Sequence, residues 1–303
     1  MGTMYYKGSI ALLAILCLVV LLNACGAAGQ EQGQETAIQP SPPIVTKAAD
    51  PLNSSVHGTP YPFPKSLKLQ FQPVELTMLK ESKVKPTWER TAIVAFGAID
   101  GTPVSLAIYK ETDEHALCGS SYERVALLEH RGKAYRYVDC FSSSLETENQ
   151  EDQKPLFLLG AKQHAPSSNL ILHGAAELSA NGPGRMAYFI LNQKQDRWYG
   201  FEDWGFPRAI DLDGDGFEEV ASQFEGLHLQ WPDVVIYRWK GRTLERSPSI
   251  KTALRVPNPT YSEAIIDERN KQITVNAVAN AEDFEVSDTG KYQYEDGVLV
   301  RVE

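Results

Sequence analysis

Past Pro64 the chain alternates short runs of β-branched and aromatic residues with clusters of Gly, Asp and Asn. Ala92–Phe96 and Val104–Tyr109 flank Asp100-Gly101, and Val125–Leu128 and Ala134–Val138 flank Arg131-Gly132. Each pair predicts an antiparallel hairpin, because a glycine-containing turn supplies the positive φ that matches the twist of paired strands. Leu156–Leu159, Leu170–His173, Met186–Leu191, Val234–Trp239 and Ile273–Val278 read as further strands. Tyr292–Tyr294 and Val298–Val300 pair across Asp296-Gly297. Only Val74–Lys80 has a spacing open to a helix. Many short strands and few helices predict a mainly β fold, with antiparallel hairpins forming a propeller-like or sandwich body. No repeat of fixed period stands out, which speaks against a regular many-bladed propeller.

The N-terminal pattern is different. Lys7 precedes an uninterrupted apolar run, Ile10–Leu22, which Leu22-Asn23-Ala24-Cys25 brings to an end. A spanning helix needs about 20 apolar residues, so this shorter run fits the core of an export signal. Leu22–Cys25 resembles the lipobox of bacterial lipoproteins, with Asn23 where Ser, Ala or Thr is more usual. The resemblance implies a signal peptide at 1–24, cleavage before Cys25 and a diacylglyceryl group carrying acyl chains such as palmitate on its thiol. Each buried CH₂ of such a chain contributes about 0.8 kcal/mol to membrane attachment. Residues 25–64 are rich in Gln, Gly, Pro and Ser without apolar period, the composition of a disordered tether. That leaves 65–303 as the mainly β extracytoplasmic region, with 150 the one candidate point of division. The expected location is the cell membrane or outer membrane, facing away from the cytoplasm. The sequence leaves the host's envelope type open.

Charge narrows the partners. The formal net charge is −10, and Lys7 is the only charged residue of 1–24, so the mature chain is one unit more acidic. A nucleic-acid binder needs a basic face to neutralise phosphates, so the charge argues against that class. Attachment then rests on the lipid rather than on a polybasic patch. With Cys17 in the signal and Cys25 acylated, Cys118 and Cys140 remain, near the two ends of the second hairpin. In an exported chain such a pair reads as a disulfide, worth roughly 3 kcal/mol by chain entropy. Two free thiols or a metal pair are the alternatives.

The densest chemistry lies in Asp211-Leu212-Asp213-Gly214-Asp215-Gly216-Phe217-Glu218-Glu219. Calcium takes six to eight hard oxygen ligands at about 2.3–2.6 Å. Asp211, Asp213 and Asp215 curl around one point if the backbone turns tightly, which Gly214 and Gly216 permit. The carbonyl of Phe217 and the carboxylate of Glu219 complete the set. Ser222 stands where an EF-hand places its bidentate Glu, and the flanks read as strand rather than helix. An acidic ninth position between β segments resembles the calcium loop of FG-GAP and VCBS-type repeats. From Ile210 onward the order of elements is also similar to small exported propeller-type proteins related to lysozyme inhibitors. That resemblance implies a structural calcium in a strand–loop–strand clip. An acidic, glycine-rich turn without an ion is the plainer alternative.

Trp198, Tyr199, Phe201 and Trp204 form the densest aromatic stretch, read either as core packing or as a surface for a sugar or protein. Enzyme signatures are lacking: the six histidines show no H-E-x-x-H spacing, and no serine sits in a G-x-S-x-G elbow. The expectation is a surface-anchored, calcium-stabilised, non-catalytic module for a protein or cell-wall glycan, with lysozyme inhibition as its most concrete form. An envelope-polymer hydrolase using a carboxylate pair, or a purely structural component, are the alternatives.

Overall fold

The structure, a computed structural model, describes residues 61–111, 123–136, 141–142, 157–158, 169–177, 184–227, 230–280 and 285–302. The signal peptide, Cys25, nearly all of the expected tether, Cys118 and Cys140 lie outside the described residues. What is described is mainly β: four antiparallel sheets and one short helix.

An N-terminal strap supplies β1 (Ser66–Lys68), β2 (Gln72–Pro73), β3 (Thr77–Met78) and β4 (Lys80–Glu81). The first sheet is a meander of β5 (Trp88–Ile99), β6 (Thr102–Glu111), β7 (Glu123–His130) and β8 (Lys133–Arg136), with β9 (Phe141–Ser142) against β7. The second runs β10 (Phe157–Leu158), β11 (Leu170–Glu177), β12 (Arg185–Asn192) and β13 (Arg197–Trp204). The third runs β14 (Phe206–Ile210), β15 (Glu219–Phe224), β16 (Asp233–Lys240) and β17 (Thr243–Arg246). After helix α1 (Ile250–Leu254), the fourth contains β18 (Glu263–Asp267), β19 (Gln272–Asn280), β20 (Glu285–Glu295) and β21 (Val298–Arg301).

Every sheet therefore repeats one motif, four strands in chain order with a strap strand on the last. β1 pairs with β21, β2 with β17, β3 with β13 and β4 with β8. The strap thus visits the sheets from fourth to first before the chain enters β5. The motif restarts at Trp88, Phe157, Phe206 and Glu263. These intervals are unequal, so the repeat leaves no fixed period in the sequence.

Side-chain alternation stacks the sheets face to face. In β12, Met186, Tyr188 and Ile190 join the core shared with the third sheet, whereas Ala187, Phe189 and Leu191 join the core shared with the first. A strand buried on both faces reads as one continuous apolar run, and β12 does. Likewise Val220, Val235 and Tyr237 of the third sheet face the second, while Ala221, Val234 and Ile236 face the fourth. The strap feeds all three cores: Leu69 between sheets four and three, Val74 and Leu76 between three and two, Leu79 between two and one. Val74–Lys80 is consequently extended and not helical, because its apolar residues serve different cores.

Composition places Tyr61–Pro64 in the tether, yet these residues pack on the fourth sheet. Phe63 is only 5% exposed. Its ring lies edge-on to Tyr292 at 6.2 Å, and Tyr292 donates to the Pro64 carbonyl at 3.1 Å. The turns at Asp100-Gly101, Arg131-Gly132 and Asp296-Gly297 hold positive φ at both residues, as the hairpin reading requires. Helix α1, absent from the sequence reading, is capped by Ser249, whose Oγ accepts from the Thr252 amide at 3.3 Å. No helix among the described residues is long and apolar enough to cross a membrane.

Candidate metal centre

The acidic loop joins β14 to β15, and the last ladder pair before it is Ile210 with Glu219. The loop folds on its own carboxylates. Asp211 Oδ1 accepts from the Gly214 amide at 2.8 Å, Asp213 Oδ1 from Asp215 at 3.2 Å, and Asp215 Oδ1 from Phe217 at 2.7 Å. Gly214 and Gly216 sit at φ 81° and 89°, so the tight turns are made where glycine tolerates them.

This curl brings carboxylate oxygens of Asp211, Asp213 and Asp215 within 4.8 Å of one another. Oxygens on opposite sides of one calcium lie about 5 Å apart, so the three residues fit a single hard cation. Glu219 is outside that trio. It is buried, and its Oε2 accepts from the Leu212 amide at 3.0 Å. Burial pushes its carboxyl up to about 7, with the charges of Asp213 and Asp215 adding to the effect and the Leu212 hydrogen bond opposing it. The Phe217 ring points into solvent, 51% exposed.

The loop is also tied to the fourth sheet. Asp213 Oδ2 accepts from the Asp296 amide at 3.2 Å, and Lys271 Nζ lies 3.8 Å from Asp211 Oδ2. Arg238 backs the site, bound to Glu245 at 3.2 Å, 3.6 Å from Asp296, and 4.0 Å above the Phe71 ring of the strap. Between these groups lies a cavity of about 320 Å³ lined by Asp213, Asp215, Glu219, Arg238, Lys68 and Tyr294. The sequence marked Asp296 as a turn residue and Arg238 as part of a strand but linked neither of them, nor Lys271, to this loop, since each arrives from a turn or strand distant in the chain.

The aromatic stretch divides. Trp198 is fully buried between the first and second sheets, Phe201 is buried against the third, and Tyr199 packs partly on that same core. Phe201 stacks on Tyr188 at 4.4 Å. The four residues therefore do not form one ligand surface. Strand alternation sends neighbouring rings to opposite faces. Only Trp204 is exposed, at 41%, and its ring meets Phe224 at 6.3 Å.

Nothing known decides between these readings by likeness. Comparison with protein-family models, curated proteins and solved structures gives no match.

Proposed function

We propose that this chain is a lipid-anchored, non-catalytic binding module whose third and fourth sheets are locked together by a calcium ion in the Asp211–Glu219 loop. The convergence of Asp211, Asp213 and Asp215 within 4.8 Å carries the metal part of the reading. Three carboxylates held that close repel one another, and a divalent cation relieves the repulsion. The cation's role here is structural, because the same loop hydrogen-bonds the β20–β21 turn through Asp213 and Asp296. The membrane part rests on Cys25 and the apolar run before it.

Thermal unfolding of the full chain in detergent, with calcium and with chelator, tests the metal. Binding to the native state alone adds about 2.7 kcal/mol at a hundredfold excess of ion over Kd. Asp213→Asn keeps one acceptor for the amides of Asp215 and Asp296 but removes charge, and is expected to lose most of the calcium-dependent rise. No rise in either protein, together with no bound ion in a direct titration, would reduce the loop to an acidic turn. Mass spectrometry of the mature protein for an acylated N-terminal Cys25 tests the anchor.

A further inference from the structure

We propose a binding site for a neutral pyranose-containing glycan at the end of β15 opposite the acidic loop, built from Trp204, Phe224, Trp231 and Tyr261 around Asp233 and Lys251, the two charged residues of the recess. The proposal rests on the binding-module reading and names its ligand. β15 spans six residues, so the site lies roughly 17–20 Å from the metal loop.

The recess is about 240 Å³, on the scale of one sugar ring, and is lined by Phe224, Gln230, Trp231, Asp233, Lys251 and Pro259. Each lining ring meets a further ring: Trp204 stands edge-on to Phe224 at 6.3 Å, and Tyr261 stands edge-on to Trp231 at 6.4 Å. A pyranose has a C–H face and a hydroxyl rim, and aromatic walls over a polar floor match that division.

The floor sets the charge of the ligand. Lys251 is 5% exposed, and its ammonium donates to the carbonyls of Trp231 at 2.9 Å and Ser262 at 2.8 Å. An ammonium has three donors, so among the described residues one is left for an acceptor in the recess that Lys251 lines. Asp233 lines the same recess, and its Oδ1 fixes the helix start by accepting from the amides of Val234 at 2.9 Å and Lys251 at 3.2 Å. Donor and acceptor together carry no net charge, which favours hydroxyl groups over an anion or a cation.

The walls are preorganised. The Trp231 amide donates to the Thr260 carbonyl at 2.9 Å and joins the β15–β16 loop to the α1–β18 loop. Asn258, at φ 44°, anchors the second loop by donating to the carbonyls of Val278 at 2.9 Å and Ala279 at 2.7 Å. Leu227 and Gln230 exchange both backbone hydrogen bonds. Holding the rings in place before the ligand arrives lowers the ordering cost of binding.

Isothermal titration of the full chain in detergent with calcium tests this, using soluble oligomers of N-acetylglucosamine, β-glucan, α-glucan and mannan as probes. Saturable binding of at least one oligomer is expected, weakened at least tenfold in Trp204→Ala and in Gln230→Ala. Both replaced side chains are exposed, so melting temperature and its calcium dependence should stay at the parent values. Heat from none of the oligomers, or binding unchanged in both variants, overturns the proposal. Because calcium dependence is read on the same samples, loss of glycan binding with the calcium shift intact leaves the metal reading standing. Loss of the shift alone removes the metal reading and leaves the recess.

Discussion

Gln223 of β15 hydrogen-bonds the backbone of Ile266 in the next sheet, its Oε1 accepting from the Ile266 amide at 3.0 Å. Its Nε2 donates to the Ala264 carbonyl at 3.2 Å and to the Asp233 carbonyl at 3.2 Å. Together with the Pro232 carbonyl, which accepts from the Ala264 amide at 2.9 Å, this side chain caps the edge of β18, where no further strand among the described residues continues the ladder.

Gln223→Leu keeps the volume but orphans buried backbone groups on two sheets. Each buried polar group left unpaired costs about 1–3 kcal/mol, so a loss of about 3 kcal/mol is expected. The urea midpoint checks it, and a change under about 1 kcal/mol would show that the amide is not the staple described.

Phe63 is where the strap begins to hold. Its ring lies against Gly290, where an added Cβ would sit 2.9 Å from Phe63 Cγ, and its carbonyl accepts from Arg301 at 3.2 Å. Phe63→Ala is expected to cost about 3–5 kcal/mol, the range for emptying a buried aromatic site. Hydrogen exchange should speed up in β1 and β21 before it does in the first sheet. Uniform exchange with unchanged stability would mean that the body begins after Pro64.

Gly205 links the second sheet to the third at φ 110°, and an added Cβ would sit 2.6 Å from Ser222 Oγ and 2.9 Å from the Gln223 carbonyl carbon. Backbone atoms cannot yield there. Gly205→Ala should destabilise by at least about 2 kcal/mol, combining strain with overpacking. Differential scanning calorimetry reads the effect, and a neutral result would sink the close-approach argument.

Acid should loosen the first sheet from the second. His130 is 2% exposed, neither ring nitrogen finds a hydrogen-bond partner among the described residues, and its ring stands edge-on to Trp198 at 5.6 Å. Burial holds it below its ordinary 6.5, as does the charge of Arg131; Asp196 and Asp100 pull upward and His173 downward. His173 is lowered as well, by burial, against its hydrogen bond to the Phe96 carbonyl at 2.5 Å. A depressed histidine means the unfolded chain takes the proton first. Its contribution is whole above about pH 6.5 and is lost as pH falls below that. Urea unfolding from about pH 7.5 to about pH 5 should therefore show His130→Phe gaining stability relative to the parent, a difference in which the opposite effect of the raised Glu219 carboxyl cancels. Equal slopes in parent and variant would remove His130 from the account.

The hairpins and the acidic loop were legible in the sequence because their causes are local. Asp100-Gly101 and Asp296-Gly297 adopt positive φ within two residues, and the Asp211–Phe217 curl is closed by hydrogen bonds spanning two or three positions. Continuous β-branched and aromatic runs also marked β12 and β16 as strands, although burial on both faces hid which core each side chain would join.

Tertiary structure decided the rest. The strap pairs only two or three residues with each sheet, too few to leave a period, and its partners lie far along the chain. The sequence grouped Trp198 with Trp204 because they are adjacent in the chain; the fold buries the first and sets the second beside Phe224. Phe224, Trp231 and Tyr261 come together only when the β15–β16 and α1–β18 loops are joined at Trp231 and Thr260. Local φ preferences and side-chain alternation act within a few residues, whereas a shared core or recess depends on which distant segments exclude water together.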